Sequence, residues 1–246
     1  MYEKGVSVTT KTDDIRFTVP LYSVTEAAGI LGVPPSTFSS WVGRGKQFRS
    51  NSGVTAPSAV VTSLETRGRQ PTIPFVGLAE GLVLAAVRSA GVPMQRVRPA
   101  LAALSKDLGI EHALASERLF TDGAELLFDH AKSEDSDAGR VVRELTVIRS
   151  GQRVFSEIVE QYLKLISYGD DGYATLIKVP GYRHAEVIVD PERSFGQPIL
   201  KHGASPLSAI LGRFWAGEDL KSLAEDFGAD VAELEDVVRA ASRRAA

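Results

Sequence analysis

The 246-residue sequence predicts a mainly α-helical fold with small β elements. Two observations support this class: short apolar stripes at helical spacing near both ends of the chain, bounded by caps and glycines, and brief β-branched runs between them. In chain order we predict an N-terminal winged helix-turn-helix, a helical middle, a β-α-β segment and a C-terminal trihelical module of homeodomain-like arrangement.

Changes in composition place the boundaries between these units. The acidic, small-residue stretch KSEDSDAGR at 132–140 is typical of a linker. The predicted divisions are a flexible arm at 1–20, a winged helix-turn-helix DNA-binding domain at 21–73, a helical region at 74–131, a β-α-β segment at 141–187 and a C-terminal helical domain at 188–246.

The first helix of the helix-turn-helix begins with a capping box. The hydroxyl of Ser23 can accept the amide hydrogen of Glu26, whose carboxylate can reach back to the amide of residue 23. One apolar stripe follows at i, i+3, i+4 and i+7, formed by Val24, Ala27, Ala28 and Leu31. Gly32 can adopt the left-handed backbone conformation that ends a helix.

A second short helix is predicted to begin at Pro35, because the fixed φ of proline suits a first turn. Phe38, Trp41 and Val42 share the face that packs on the first helix. The polar residues Ser36, Thr37, Ser39, Ser40 and Arg44 are left on outward or end positions. Two short helices joined by a tight turn have the geometry that places a recognition helix in the major groove, although ordinary helical bundles contain the same pattern.

A basic cluster follows the second helix. Between residues 34 and 70 there are five basic residues and one acidic residue, a net charge of +4. We predict that these cations, Arg44, Lys46, Arg49, Arg67 and Arg69, contact phosphates on either side of the groove. A strand predicted at 59–64 would belong to the wing. A solvated loop would explain the same residues without DNA.

Helices are predicted at 74–90 and at 93–108, with Pro99 expected to kink or split the second. The apolar side chains of the first helix are explained equally well by a dimer interface and by burial within one subunit. Further along, we predict a strand at 141–148, an amphipathic helix near 155–166 and strands at 173–179 and 186–189.

Three apolar stripes with glycine stops at Gly217 and Gly228 predict the C-terminal helices. From residue 191 to the end the chain has nine acidic and seven basic residues, a net charge of −2. The third helix starts with Glu233, Glu235 and Asp236, and acid facing phosphate is repulsive. We therefore expect this module to face protein rather than DNA.

Composition and spacing argue against catalysis, and we expect no enzyme, no cofactor, no metal site and no catalytic residue. The chain has no cysteine, and its four histidines are far apart without a ligand-pair spacing. No phosphate-binding glycine loop or nucleophile elbow occurs. The N-terminus lacks a secretory apolar region and no apolar run is long enough for a membrane span, so we expect a cytoplasmic protein.

The run YSVTEAAGILGVPPSTFSSWV at 22–42 resembles the winged helix-turn-helix of MerR-like regulators. The resemblance implies binding to palindromic double-stranded operator DNA as a homodimer. Members of that group that sense thiophilic metals use cysteines, so the resemblance does not extend to that function here.

The runs DPERSFGQPIL, FWAGEDLKSLAEDFG and VAELEDVVRAA between 190 and 241 are similar to the domain of unknown function 433. With LTVIRSGQRVFSEIVEQYL at 145–163 and the MerR-like start, the chain resembles mycobacterial antitoxins of VapB type. That resemblance implies a transcriptional regulator of a toxin-antitoxin system that binds its own promoter and neutralises a PIN-domain ribonuclease toxin. The alternatives are a ligand-responsive repressor that uses residues 74–189 as a sensor, and a protein-interaction scaffold without DNA binding.

Overall fold

The structure is a computed structural model. It describes residues 14–43, 48–50, 53–55, 59–66, 70–89, 94, 97–98, 101, 111–119 and 161–245. The second predicted helix at 93–108, the predicted linker at 132–140 and the predicted strand at 141–148 lie largely or wholly outside these ranges. Within the described part of the chain, no helix has both the length and the apolar character needed to cross a membrane.

The described chain begins with a single helical turn, α1 (Ile15–Thr18). Two short helices follow, α2 (Val24–Leu31) and α3 (Pro35–Trp41), and these two helices pack against each other. The predicted capping box is present, with the amide of Glu26 donating to the Ser23 hydroxyl over 3.2 Å and the amide of Ser23 donating to the Glu26 carboxylate over 2.8 Å. Gly32 ends α2 with a φ of 67°, the left-handed conformation expected of it. Propensity and capping thus determine both ends of α2 locally.

Backbone hydrogen bonds join the two ends of the segment that contains α2 and α3. The amide and carbonyl of Tyr22 form an antiparallel bridge with Ile73, with N···O distances of 3.0 and 2.9 Å. Both side chains are fully buried. The bridge joins the start of the helix-turn-helix to the residue that precedes the next helix by two positions.

A two-stranded hairpin, β1 (Phe48–Ser50) and β2 (Gly53–Thr55), follows α3, with Arg49 opposite Val54. The strand predicted at 59–64 is wrong, since these residues have no strand pairing and the chain bends at Val61. Their amide hydrogens are used elsewhere: Val60 and Val61 both donate to the carbonyl of Trp41, at 2.8 and 3.1 Å. These hydrogen bonds fix the segment to the end of α3 and replace the ladder that a strand would form at Val60 and Val61.

The central helix, α4 (Phe75–Ser89), is the element around which the N-terminal part is built. Every residue from 75 to 87 is buried, and the helix packs on α1, α2, the 3-10 turn Ala113–Ala115 and the sheet. Of the two explanations left open for its apolar stripe, burial within one subunit is the one observed. The stripe positions Phe75, Leu78, Leu82, Leu84 and Val87 are at most 5% exposed.

Four strands form an antiparallel meander, β3 (Ile166–Tyr168), β4 (Ala174–Lys178), β5 (Val187–Val189) and β6 (Ile199–Leu200). The predicted strands at 173–179 and 186–189 correspond to β4 and β5. The helix predicted near 155–166 is helical at 161–163 and has given way to a strand by Ile166. The first strand and most of the helix of the predicted β-α-β segment lie outside the described residues. That arrangement stays a prediction, and the strands that are described pair antiparallel.

Three helices end the chain, α5 (Leu207–Trp215), α6 (Leu220–Phe227) and α7 (Val231–Ala245). The predicted stops hold: Gly217 and Gly228 have φ values of 101° and 61°. Leu207, Ile210, Leu223, Leu234 and Val237 are buried and belong to the same hydrophobic core as α2 and α4. The core therefore runs without interruption from the helix-turn-helix to α7.

Candidate nucleic-acid interface

Helix α3 is held by two aromatic side chains on its inner face. Phe38 and Trp41 are fully buried, with ring centroids 5.8 Å apart. The helix α4 approaches closely at Gly81, where an added Cβ would lie 2.6 Å from Cε2 of Phe38 and 2.9 Å from Cδ1 of Leu31. Glycine is needed at this crossing because any side chain would push α4 away from α2 and α3.

On the opposite face of α3, the predicted hydroxyl side chains differ in their exposure to solvent. Ser36 is exposed, whereas Thr37, Ser39 and Ser40 are half-buried. The Ser40 hydroxyl donates to the carbonyl of Thr37 over 2.7 Å. Ser36 is therefore the hydroxyl of this set that the structure leaves most accessible to a base edge or a phosphate.

Two further arginines, which were not predicted from the sequence as site residues, contact α3. Arg88, at the exposed end of α4, donates through Nη1 to the hydroxyl oxygen of Thr37 over 2.7 Å. Arg98 donates through Nη2 to the carbonyl of Ser40 over 2.9 Å. Helical spacing could have identified Arg88 as a site residue. It lies seven residues after Gly81 and therefore on the same face of α4, the face that meets α3.

The predicted basic residues are placed only in part. Arg49 lies in β1, whose backbone is described. The other four, Arg44, Lys46, Arg67 and Arg69, lie outside the described residues. Their phosphate contacts stay a prediction.

The acidic start of α7 is less exposed than the sequence suggests. Asp236 is 3% exposed, and its Oδ2 accepts the amide hydrogens of Arg183, His184 and Ala185 at 2.5, 2.8 and 3.2 Å. Burial alone would raise the pKa of this carboxyl, but the three amide donors lower it below its ordinary value. Glu233 reaches back to the amide of Asp230 at the helix start. Two of the three acidic residues at the start of α7 thus accept hydrogen bonds from backbone amides, which weakens the repulsion expected between α7 and phosphate.

Two large aromatic side chains are exposed in the C-terminal part of the chain. Phe195 is 87% exposed and Trp215 is 62% exposed. Phe195 has a φ of 54°, and its neighbours Ser194 and Gly196 are also left-handed, at 47° and 72°. A non-glycine residue held in this conformation is strained, and such strain is common at binding sites.

Comparison with known proteins agrees with the helix-turn-helix geometry. Residues 20–101 match the family described as "Putative DNA-binding HTH domain". The matched range includes α2, α3, the hairpin and α4.

A second similarity covers nearly the whole chain. Over 230 residues, the chain is 43% identical to the protein named "Putative antitoxin VapB45" of Mycobacterium tuberculosis, covering 92% of this chain and 96% of that protein. This chain belongs to the family of that antitoxin. The resemblance to VapB-type antitoxins is thus confirmed at the level of the family.

A solved member shares the fold of the family. The X-ray crystal structure of Rv2018 from Mycobacterium tuberculosis is similar to this structure with a TM-score of 0.75 and 42% sequence identity, covering 91% of this chain and 99% of that chain. At this identity and coverage, the architecture described above is common to both chains.

Proposed function

We propose that this protein is an antitoxin-type transcriptional regulator that binds its own promoter through α3. The observation that supports the proposal best is the division of α3 into two faces. Phe38 and Trp41 fix its inner face on α2 and α4, while Ser36 is exposed on the outside. A short helix held rigidly with a polar outer face is the arrangement by which helix-turn-helix proteins read the major groove.

The β1–β2 hairpin is proposed as the wing, with Arg49 and its basic neighbours on phosphates. The hairpin begins seven residues after α3 ends, which is close enough to reach the backbone beside the same groove. Hydroxyl side chains discriminate bases weakly, so we assign most of the affinity to Arg44, Lys46, Arg49, Arg67 and Arg69 and to phosphate contacts.

The C-terminal half is proposed to bind and block a PIN-domain ribonuclease toxin. Its support is the antitoxin name of the 43% identical relative together with the exposed Phe195 and Trp215. Exposed aromatic residues are typical anchors of protein interfaces. We further propose that the regulator acts in the cytoplasm as a homodimer, with a dimer surface other than the buried length of α4.

A salt titration of operator binding tests the DNA part. The probe is the DNA upstream of the gene, measured by gel shift with the full-length chain. The double variant Arg44→Ala with Arg49→Ala should bind at least tenfold more weakly, and its plot of log affinity against log salt should flatten by about two units, one per lost phosphate contact.

The matched control removes two exposed cations that belong neither to α3 nor to the hairpin, Arg118→Ala with Lys221→Ala. This variant has the same net charge as the test variant and should keep both the affinity and the salt slope. An unchanged slope in the Arg44 and Arg49 variant would show that the basic cluster does not contact DNA.

Copurification tests the toxin part. The chain is expressed together with the product of the neighbouring nuclease gene, and the complex is isolated through a tag on the nuclease. Recovery of a stable complex with suppressed ribonuclease activity is the expected result. A nuclease that stays fully active in the presence of excess chain would contradict the proposal.

A further inference from the structure

A cavity of about 470 Å³ lies beside the helix-turn-helix. Its wall consists of residues 59–63, Glu80 of α4, Arg98, Leu101 and residues 112–114. Its volume falls within the range of about 300–1,000 Å³ that is usual for small-molecule sites. The apolar part of the wall includes Val61, Leu101 and Leu114, which are 2%, 9% and 5% exposed.

Among the described residues of the wall, the carboxylate is that of Glu80, and it already accepts hydrogen bonds from its neighbours. Glu80 is 4% exposed. It accepts the amide hydrogen of Thr62 over 2.6 Å and the Thr62 hydroxyl over 3.0 Å, and Nδ1 of His112 lies 3.2 Å from Oε1. Hydrogen-bond donors stabilise a buried carboxylate. Glu80 is therefore held in the wall by Thr62 and His112.

In the described part of the wall, Arg98 supplies a guanidinium. Arg98 is half-buried, and this burial lowers the pKa of its guanidinium. A guanidinium presents a planar fork of N–H donors that matches a carboxylate. The wall thus combines a carboxylate-binding group with an apolar surface.

We propose that this cavity binds a small organic carboxylate, with its carboxylate group on Arg98 and its apolar body against Val61, Leu101 and Leu114. The same combination of a few polar groups and an apolar lining is what orients small ligands in protein pockets.

The wall of this cavity also holds the end of α3. The amides of Val60 and Val61 donate to the carbonyl of Trp41, and Arg98 donates to the carbonyl of Ser40 over 2.9 Å. A bound carboxylate competes with the Ser40 carbonyl for the same guanidinium. Occupation of the cavity therefore loosens the last turn of α3 and weakens operator binding. This second step rests on the proposed function, whereas binding of the carboxylate does not.

Carboxylate binding is tested on the full chain without DNA. The probes are hexanoate, octanoate, benzoate and phenylacetate, each compared with its primary amide, by thermal shift and calorimetric titration. We expect at least one acid to bind saturably at millimolar concentration and to raise Tm by 2 °C or more, while its amide does not. The proposal is overturned when no acid in the series binds, or when acid and amide bind equally.

Variants assign the binding to this cavity. Arg98→Met should abolish the acid effect, whereas Arg118→Met, at an exposed arginine outside the wall, should retain it. The comparison of acid with amide needs no variant, so a folding defect in Arg98→Met leaves the test decisive. If a folded Arg98→Met chain still binds the acid with wild-type affinity, the acid binds elsewhere and the assignment of the binding site to this cavity is wrong.

Operator gel shifts with the bound acid test the coupling to α3. We expect saturating acid to lower operator affinity at least fivefold in the wild-type chain. An acid that binds without changing operator affinity overturns the coupling. A chain that binds the acid but no operator, with or without acid, contradicts the proposed function while leaving the carboxylate site in place.

Discussion

The hydroxyl of Tyr22 donates a hydrogen bond to the carbonyl of Gly196 over 2.8 Å, joining two residues that are 174 positions apart. The Tyr22 side chain is fully buried, and burial raises the pKa of its hydroxyl far above the ordinary value. An added Cβ at Gly196 would lie 2.5 Å from this oxygen. The residue just before the capping box of α2 is thus fixed to the turn that precedes β6.

Removing this hydroxyl is expected to destabilise the whole chain. Tyr22→Phe leaves the buried Gly196 carbonyl without its donor, and an unsatisfied buried group costs about 1–3 kcal/mol. Urea unfolding measures the loss. The matched control is Tyr173→Phe, whose hydroxyl bonds the carbonyl of Glu111 at an exposed position over 3.0 Å. The control should change the free energy of unfolding by less than about 0.5 kcal/mol, and equal losses in the two variants would contradict the assignment.

The helix crossing at Gly81 is expected to tolerate no side chain. Gly81→Val places methyl groups against Phe38 and Leu31, and overpacking of this kind costs about 1–3 kcal/mol or more. The matched control is Gly29→Ala, because Gly29 is exposed in α2 and an added Cβ there meets nothing within 4 Å. Alanine should be neutral or stabilise α2 by about 0.5–1 kcal/mol. Thermal unfolding of both variants provides the measurement.

The buried carboxylate of Asp236 makes stability depend on acid pH. Its folded pKa is below the ordinary value, so its contribution is fully present above the unfolded pKa of about 3.9 and is lost as pH falls through the folded value. Asp236→Asn, which removes the charge that the amides of 183–185 bind, should cost about 2 kcal/mol at pH 7. The difference between wild type and variant should shrink as the pH is lowered from 5 toward 2. A difference that is constant with pH would contradict this role.

Charge on the outer face of α3 is expected to abolish operator binding without affecting the fold. Ser36→Glu adds an acid at an exposed position that would face phosphate, so affinity should fall at least tenfold. Ser208→Glu is the matched control: Ser208 is also exposed and is also the second residue of a helix that follows a proline N-cap. Gel shifts should separate the two variants. Equal operator affinity would remove α3 from the interface.

The exposed Phe195 is expected to matter for the partner and not for the fold. Phe195→Gly removes an aromatic side chain that is 87% exposed and relieves its left-handed backbone, so Tm should not fall. If Phe195 anchors the interface, the variant should bind the toxin at least tenfold more weakly than the wild-type chain. Titration of the nuclease with wild-type and variant chains measures the difference, and identical inhibition would exclude Phe195 from the contact.

Local rules predicted the parts of the fold that local interactions determine. The Ser23 and Glu26 capping box and the left-handed Gly32 depend on residues within one helical turn, and both were predicted from the sequence. The buried faces of α3 and of the three C-terminal helices follow from spacing alone. Such features need no knowledge of distant partners.

The features that were missed or misassigned depend on distant residues. Glu80 lies in an apolar run, and its partners Thr62 and His112 are 18 and 32 residues away, so no local pattern identifies the cluster. The segment at 59–64 has the composition of a strand but is held by the end of α3. The burial of Asp236 depends on amides more than 50 positions earlier. Tertiary contacts override composition at each of these positions.

The complete burial of Phe75–Val87 has a consequence for synthesis on the ribosome. One of its covering elements, β4, emerges roughly ninety residues after α4. At translation rates of about 5–20 residues per second, the apolar surface of α4 stays partly exposed to solvent in the nascent chain for roughly 5–20 s. We therefore expect ribosome-associated chaperones to engage the growing polypeptide in this interval, and release to coincide with completion of the meander.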